Sequence, residues 1–155
     1  MEIEIPGIGS LRLDHAVMDF NGTIAVDGIL LDGVAERLRR LSARCDVHVL
    51  TSDTQGTARR ALSGLPLTLD IYDVEDAGAC KRAYVEKLGA ESCVCIGNGR
   101  NDVAMFEVAQ LAIAILETEG AYAPILETAD MVVRASVDAL DLLLDDKRLI
   151  SGLRR

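Results

Sequence analysis

The sequence contains no tryptophan, and its aromatic residues amount to only 3% of the chain, although half of all residues are hydrophobic. We therefore expect a core of Leu, Ile, Val and Ala side chains. No hydrophobic run approaches the roughly 18 residues that mark a membrane-spanning helix. The alternating acidic and apolar residues Met1 to Ile5 do not form a signal peptide. The sequence predicts a single domain over residues 1–155, in the cytoplasm and away from membranes.

Positive charge is also scarce: the chain has 16 Lys and Arg residues against 25 Asp and Glu residues, for a formal net charge of −9. Since nucleic-acid binding depends on Lys and Arg, this balance argues against a nucleic-acid partner but permits a small phosphorylated ligand in a local site. The four cysteines include no CxxC pair, so reduced core thiols are favoured over a metal or redox site. His48 lies inside a predicted strand, which favours a sheet-face role over a catalytic one.

Short apolar strands alternate with helices along the chain. Strands are predicted at residues 15–20, 46–50, 67–72, 92–96, 111–116 and 131–133. Helices are predicted at residues 32–43, 54–63, 77–88, 103–109, 121–127, 137–144 and 147–153. The alternation predicts right-handed crossovers and hence an α/β fold, a three-layer Rossmann-like parallel sheet between helices. Asp32 is the expected N-cap of the first helix, and the alternating residues 1–13 predict an N-terminal edge hairpin.

Three of the predicted strands end on polar residues, and the carboxyl ends of parallel strands share one edge of the sheet. A helical lysine joins these residues, so that the set is Asp19, Asn21, Thr23, Thr51, Ser52, Lys81, Asn98 and Asp102. Carboxylates at such an edge can bind Mg²⁺ or attack an electrophile. Hydroxyls, a lysine and the backbone amides around Gly22 and Gly99 suit phosphate oxygens. A turn-capping Asp is the alternative for Asp19 alone, but the whole set predicts a site for Mg²⁺ and phosphate.

The segment Asp19-Phe20-Asn21-Gly22-Thr23 resembles the DxDGT signature of the haloacid dehalogenase (HAD) superfamily of phosphohydrolases. Thr51 resembles the lone Ser or Thr of that superfamily's second motif, and Lys81 resembles the lysine of its third. Residues 97–102, Gly-Asn-Gly-Arg-Asn-Asp, resemble the GDGxND loop in the phosphorylation domain of P-type ATPases. With four motifs in the right order, the chain is most similar to small soluble proteins related to that ATPase domain.

The resemblance implies a role for each residue at the shared edge. Asp19 would be the nucleophile that forms an aspartyl-phosphate, and Asn21 would occupy the place of the general acid/base. The phosphoryl group would be held by Gly22, Thr23, Thr51 and Lys81, and the Ser52 hydroxyl at the same edge is expected to contact it as well. The Mg²⁺ cofactor would be held by Asp19, the backbone carbonyl of Asn21, Asn98 and, directly or through water, Asp102.

The chain departs from the resemblance at two positions, where Asn replaces Asp. An amide at Asn21 cannot transfer a proton, and general acid–base catalysis is typically worth about 10²–10⁴-fold in rate. P-type ATPases carry Thr at this place, and their phosphoenzyme is correspondingly long-lived. Asn98 keeps a ligand oxygen but lacks the negative charge, so Mg²⁺ affinity should fall. These features predict a slow Mg²⁺-dependent phosphohydrolase. The alternatives are a phosphate- or metal-binding regulatory protein without turnover, and a plain structural domain.

No cap domain fits between the motifs, because 31 residues separate Asp19 from Thr51 and 29 separate Thr51 from Lys81. The segment 23–32 is expected to form a small flap instead. The resemblance to capless members of the superfamily implies an enzyme that acts on large substrates or uses a neighbouring subunit as a lid. A homo-oligomer would then exclude water from the site. The apolar residues 29–31 are a candidate contact, although packing on their own domain is equally compatible with the sequence.

Overall fold

The computed structural model describes residues 1–53, 56–73 and 75–155. The strands are β1 (Glu2–Ile5), β2 (Gly9–Arg12), β3 (His15–Asp19), β4 (Ala25–Val26), β5 (Ile29–Leu30), β6 (Asp46–Thr51), β7 (Thr68–Ile71), β8 (Cys93–Gly97), β9 (Leu111–Ile115) and β10 (Met131–Val133). The α-helices are α1 (Val34–Leu41), α2 (Thr57–Ala61), α3 (Ala77–Leu88), α4 (Val103–Phe106), α5 (Ile125–Thr128), α6 (Ser136–Leu144) and α7 (Asp146–Leu153). Short 3₁₀ turns cover Ala90–Ser92 and Arg100–Asp102.

Six strands form one parallel sheet in the order β10-β9-β8-β3-β6-β7. From β3 the chain first adds β6 and β7 on one side, and then returns to add β8, β9 and β10 on the other. The strand order therefore reverses between β3 and β8, and ligands of open α/β sheets bind in the crevice outside the carboxyl ends at such a point. The predicted fold class is confirmed, and the crevice lies at the end of β3.

The helices cover both faces of the sheet. Side chains alternate along a strand, so Val17 and Met18 of β3 belong to two different core clusters. The cluster around Met18 includes residues of α1 and α6, whereas the cluster around Val17 includes residues of α3 and α4. All three layers are therefore packed with aliphatic side chains, as the composition predicts.

The N-terminal residues form the predicted hairpin, in which β1 and β2 pair antiparallel. The hairpin does not extend the edge of the six-stranded sheet but is a two-stranded sheet of its own. Ile3, Ile5 and Leu11 point from this hairpin into the core cluster of α1 and α6. A second small hairpin, β4–β5, is the predicted flap. Its Ile29 is 72% exposed, whereas Leu30 packs against the core. The contact between subunits through this flap stays a prediction.

The predicted N-cap of α1 is wrong, because Gly33 rather than Asp32 holds that position. Gly33 has a φ of 78°, which is a left-handed conformation that glycine adopts at no steric cost. The chain needs this turn to pass from the flap into the helix. The prediction placed the cap one residue early because Asp is the commoner capping residue.

Three other helices differ from the prediction in length. Helix α2 covers only part of the predicted 54–63, of which residues 54 and 55 lie outside the described residues. Helix α4 ends at Phe106 instead of 109. Helix α5 begins at Ile125 instead of 121, since Pro124 immediately precedes it and is tolerated only at a helix start. Within the described ranges, no inserted cap domain interrupts the sheet, and no helix is long and apolar enough to span a membrane.

Candidate active site

Strand β3 ends on Asp19, and the chain turns at once. Gly22 adopts a φ of 77°, and its N–H donates to the carbonyl of Ala25 at 2.8 Å. A Cβ on this glycine would lie 2.5 Å from Nδ2 of Asn98. The turn therefore requires glycine both for its backbone angle and for the close approach of the loop that follows β8.

Lys81 lies on α3, whose N-cap Asp76 accepts a hydrogen bond from the N–H of Ala79 at 2.9 Å. Its side chain is fully buried, and its Nζ donates to Oδ1 of Asp19 at 2.7 Å and to Oδ1 of Asp102 at 2.6 Å. A buried ammonium is tolerated when it is paired, and these carboxylates supply the pairing. Burial alone would lower the pKa of Lys81, but attraction to the two carboxylates raises it above its ordinary value. The ammonium therefore stays charged.

Asp19 has a different balance of effects. Its side chain is only 13% exposed. Burial first, and then repulsion from Asp102, raise its pKa to about 6, against the attraction of Lys81. Desolvation dominates because it favours the neutral acid. Below this pH a proton therefore competes with a cation or an electrophile for the Asp19 oxygens.

Asp102 holds the loop after β8 in place. Its Oδ2 accepts hydrogen bonds from the backbone N–H groups of Asn98 at 3.0 Å and Gly99 at 2.9 Å, while its Oδ1 binds Lys81. A Cβ at Gly97 would lie 2.5 Å from Cγ of this carboxylate. Asp102 is fully buried, and both of its oxygens are already engaged. Its direct contacts are with the lysine and the loop backbone.

A cavity of about 300 Å³ opens at the carboxyl edge, and it is lined by Asp19, Asn21, Thr51, Ser52, Tyr72, Asn98, Gly99, Asn101 and Glu119. It brings together the ends of β3, β6 and β8, as the sequence predicts. Tyr72, Asn101 and Glu119 were not predicted as site residues. Tyr72 directly follows β7 and Glu119 lies shortly after β9, so the same rule about strand ends could have found both. A second cavity of about 400 Å³ shares Asn21, Thr51 and Ser52 and continues beneath the flap.

The amide of Asn21 serves the flap. Its Oδ1 accepts a hydrogen bond from the N–H of Gly28 at 2.9 Å, which ties the flap turn to the nucleophile loop. Thr23 points inward instead: it is fully buried, its hydroxyl donates to Oδ1 of Asn98 at 3.4 Å, and its carbonyl accepts from the Ser136 hydroxyl. The predicted phosphate contact of Thr23 would therefore come from its backbone rather than its hydroxyl.

The oxygen atoms around the cavity suit a hard cation. Asp19 supplies a carboxylate, while Asn98 and Asn101 supply amide oxygens. Within the described ranges, no three His, Cys, Asp or Glu side chains are grouped tightly enough to hold a metal ion by themselves. This sparse donor set fits Mg²⁺, which usually takes one or two carboxylates together with substrate phosphates and retained waters.

The four cysteines and His48 do not line this cavity. Cys45, Cys93 and Cys95 are buried, as the core-thiol interpretation predicts, whereas Cys80 is half-buried; all four are free thiols. Burial raises the pKa of Cys45 and of Cys93 to about 11, so neither is a thiolate near neutral pH. His48 is also buried in β6, where it bonds to a histidine and a tyrosine, at 3.2 and 3.0 Å.

Comparison with protein-family models finds no match. The chain is 43% identical over 56 residues to MJ0073 of Methanocaldococcus jannaschii, an alignment that covers 36% of this chain and 60% of that protein. It is 47% identical over 38 residues to MJ0072 of the same organism, covering 24% of this chain and 86% of that protein. The chain thus spans about three fifths of the first relative and most of the second. Neither name assigns an activity.

Solved structures resemble the chain over most of its length. A putative HAD superfamily (subfamily III A) hydrolase from Legionella pneumophila has a TM-score of 0.74 at 17% identity, covering 92% of this chain and 88% of that one. A probable YrbI family phosphatase from Pseudomonas syringae has a TM-score of 0.72 at 16% identity, covering 92% and 91%.

A third neighbour is the 3-deoxy-D-manno-octulosonate 8-phosphate phosphatase of Moraxella catarrhalis, solved with magnesium and phosphate ions. It has a TM-score of 0.71 at 15% identity and covers 92% of this chain and 91% of that one. At such identities a structural match shows the fold. The structural matches thus show that the chain has the fold of the haloacid dehalogenase superfamily. Because 86% of MJ0072 aligns with the chain at 47% identity, the chain belongs to the same family as MJ0072.

Proposed function

We propose that the chain is a Mg²⁺-dependent phosphohydrolase that acts through an aspartyl-phosphate on Asp19. The observation that carries this proposal is the pairing of buried Lys81 with Asp19 and Asp102, at 2.7 and 2.6 Å. Lys81 engages Oδ1 of Asp19, so Oδ2 is the oxygen left to attack phosphorus. Phosphatases with this fold, one of them solved with magnesium and phosphate, support the same reaction class.

In the first step, Oδ2 of Asp19 attacks the phosphorus atom, and the bond from phosphorus to the leaving-group oxygen breaks. The leaving oxygen takes its proton from water, because the amide of Asn21 is not acidic enough to supply one. In the second step, water attacks the phosphorus of the aspartyl-phosphate, which releases inorganic phosphate and restores the carboxylate. Thr51 and Ser52 donate hydrogen bonds to phosphoryl oxygens, and Lys81 offsets their charge.

When bound, Mg²⁺ supplies further neutralisation of the phosphoryl charge and orients the group for in-line transfer. The groups that would hold it are the Asp19 carboxylate, the backbone carbonyl of Asn21 and the Asn98 side chain. Asp102 acts behind them by fixing the Asn98 and Gly99 backbone.

A regulatory protein that binds phosphate or metal without turnover is the second candidate. It is favoured by the side-chain bonds of the two asparagines that replace Asp, since Asn21 binds the flap and Asn98 binds the backbone of Gly120 at 2.8 Å. Both amides thus stabilise neighbouring loops, a role that requires no catalysis. The two candidates differ in whether phosphate attached to Asp19 is released.

The test is phosphorylation of the full chain by labelled acetyl phosphate with Mg²⁺. We expect an adduct that survives acid and is cleaved by hydroxylamine, as an acyl-phosphate is. Asp19→Asn should abolish it. The matched control is Asp27→Asn, which removes the same charge from the neighbouring cavity and should keep the label. Label that persists in Asp19→Asn would exclude this nucleophile, and an adduct without phosphate release would favour the regulatory protein.

A further inference from the structure

One carboxylate at the cavity belongs to none of the four motifs. Glu119 lies in the loop between β9 and α5, is exposed, and lines the 300 Å³ cavity together with Asp19 and Asn101. It does not line the second cavity beneath the flap, where Asn21 meets Gly28. Its place is therefore on the side of the cavity formed by the β8 loop.

Asn98 fixes this loop from two directions. Its Nδ2 donates to the carbonyl of Gly120 at 2.8 Å, and its carbonyl accepts from the N–H of Tyr122 at 2.8 Å. The first bond requires a donor, which an amide has and a carboxylate lacks. An Asp at position 98 would instead place a charged oxygen against the Gly120 carbonyl. Asn98 therefore exchanges a cation-binding charge for a contact that holds the neighbour of Glu119 at the cavity.

The charges around the cavity favour a second acid there. Asp19, Asp102 and Lys81 together carry a net charge of −1, and both oxygens of Asp102 are engaged with the lysine and the loop backbone. Asp19 would then be alone in offering a motif carboxylate to the cation. With Glu119 the net charge is −2, which matches a divalent ion, and the carboxylate count reaches the two that Mg²⁺ commonly uses.

We propose that Glu119 supplies the second carboxylate for Mg²⁺, directly or through a bound water, in place of the acid missing at position 98. This inference rests on the proposed function, because it assumes that Mg²⁺ binds beside Asp19. It also assigns a purpose to the loop after β9, which none of the four motifs includes.

The experiment measures Mn²⁺ binding to the full chain by electron paramagnetic resonance, which needs no substrate and no turnover. Glu119→Gln should weaken Mn²⁺ binding about 10- to 100-fold, as loss of a group that supports a metal does. Glu117→Gln is the matched control. Glu117 lies two residues before Glu119 and carries the same charge, but its side chain does not line the cavity. At physiological salt, where the screening length is about 8 Å, this substitution should change the affinity less than about twofold.

The outcomes separate this inference from the proposed function. Asp19→Asn is run in parallel, and urea unfolding checks the fold of each variant. If wild type binds Mn²⁺ and Asp19→Asn weakens it while Glu119→Gln does not, the role of Glu119 is overturned and the proposed function stands. If Glu119→Gln and Glu117→Gln lower the Mn²⁺ affinity equally, the effect comes from net charge alone, and the role of Glu119 is again overturned. If wild type binds no Mn²⁺, both fail, and the acetyl phosphate experiment then shows whether the nucleophile survives.

Discussion

Restoring the acid at position 21 should speed release of phosphate from Asp19. Oδ1 of Asn21 accepts the N–H of Gly28 at 2.9 Å, and the carboxylate in Asn21→Asp can accept the same bond. The flap contact is therefore kept. Asn21 is exposed, so the added charge remains solvated. The substitution thus gives the site a group that can accept and return a proton, and it adds one negative charge.

The expected gain follows from the worth of a positioned acid/base, about 10²–10⁴-fold. The new carboxylate shares its cavity with Asp19 and Glu119, and this repulsion opposes attack on a charged phosphoryl group. We therefore expect the lower end, about a hundredfold increase in the rate of aspartyl-phosphate hydrolysis. The phosphorylation step should change little with 4-nitrophenyl phosphate, whose leaving group needs no proton, and more with an alkyl phosphate.

The assay is the decay of labelled phosphoprotein after a chase with unlabelled acetyl phosphate at saturating Mg²⁺. Asn101→Asp is the control, because it adds the same charge to the same cavity at a position with no role in proton transfer. The reasoning is refuted if Asn101→Asp accelerates decay equally. It is also refuted if Asn21→Asp leaves the decay unchanged while Mn²⁺ binding and the urea midpoint are intact.

Three further changes test the same site. Lys81→Met should destabilise the fold by about 3–5 kcal/mol at pH 8, since it leaves two buried carboxylates without their counter-ion. The loss in urea unfolding should be smaller at pH 5, where Asp19, with its pKa raised to about 6, takes up a proton; equal losses would contradict this. Because a protonated Asp19 cannot bind a cation, Mn²⁺ affinity should increase about tenfold for each unit by which the pH is raised toward 6, and it should level off above pH 6. An affinity that does not change with pH would count against a role for Asp19. Gly22→Ala should cost about 1–2 kcal/mol from its positive φ and also displace Asn98, so it should weaken Mn²⁺ binding. Gly64 has a similar φ, and a Cβ added there would meet no atom within 4 Å. Gly64→Ala should therefore show only the backbone cost.

The sequence was sufficient to predict the sheet and the edge at which the site forms. Strand spacing and apolar runs placed Asp19, Thr51 and Asn98 at the ends of parallel strands, and parallel strands bring such ends together regardless of the details of packing. Lys81 shows where pattern alone stops. The sequence places it in the first turns of a helix, within reach of the edge, but does not predict that its side chain is fully buried. That burial depends on two carboxylates, 62 and 21 residues away in sequence.

Side-chain direction was the part that could not be predicted. The Thr23 hydroxyl points into the protein because it meets Asn98, 75 residues later in the chain. Asp102 turns toward the loop backbone because Gly97 and Gly99 leave room for it. Glu119 lines the cavity, and its neighbour Gly120 accepts a hydrogen bond from Asn98, which lies 22 positions before Gly120. Each orientation is set by a contact between distant segments, and no local pattern encodes such a contact.

The two asparagines also change what the site needs in order to be stable. With Asp at positions 21 and 98, the motif residues would bring four carboxylates to one edge of the sheet with a single lysine, and their repulsion would oppose folding until a cation bound. With Asn21 and Asn98, two carboxylates surround the lysine, and both bond to it. The fold therefore does not depend on Mg²⁺ to offset repulsion among its own motif acids. Under the proposed function, we expect the cost in cation affinity and in proton transfer, which are the two properties that the Glu119→Gln and Asn21→Asp experiments measure.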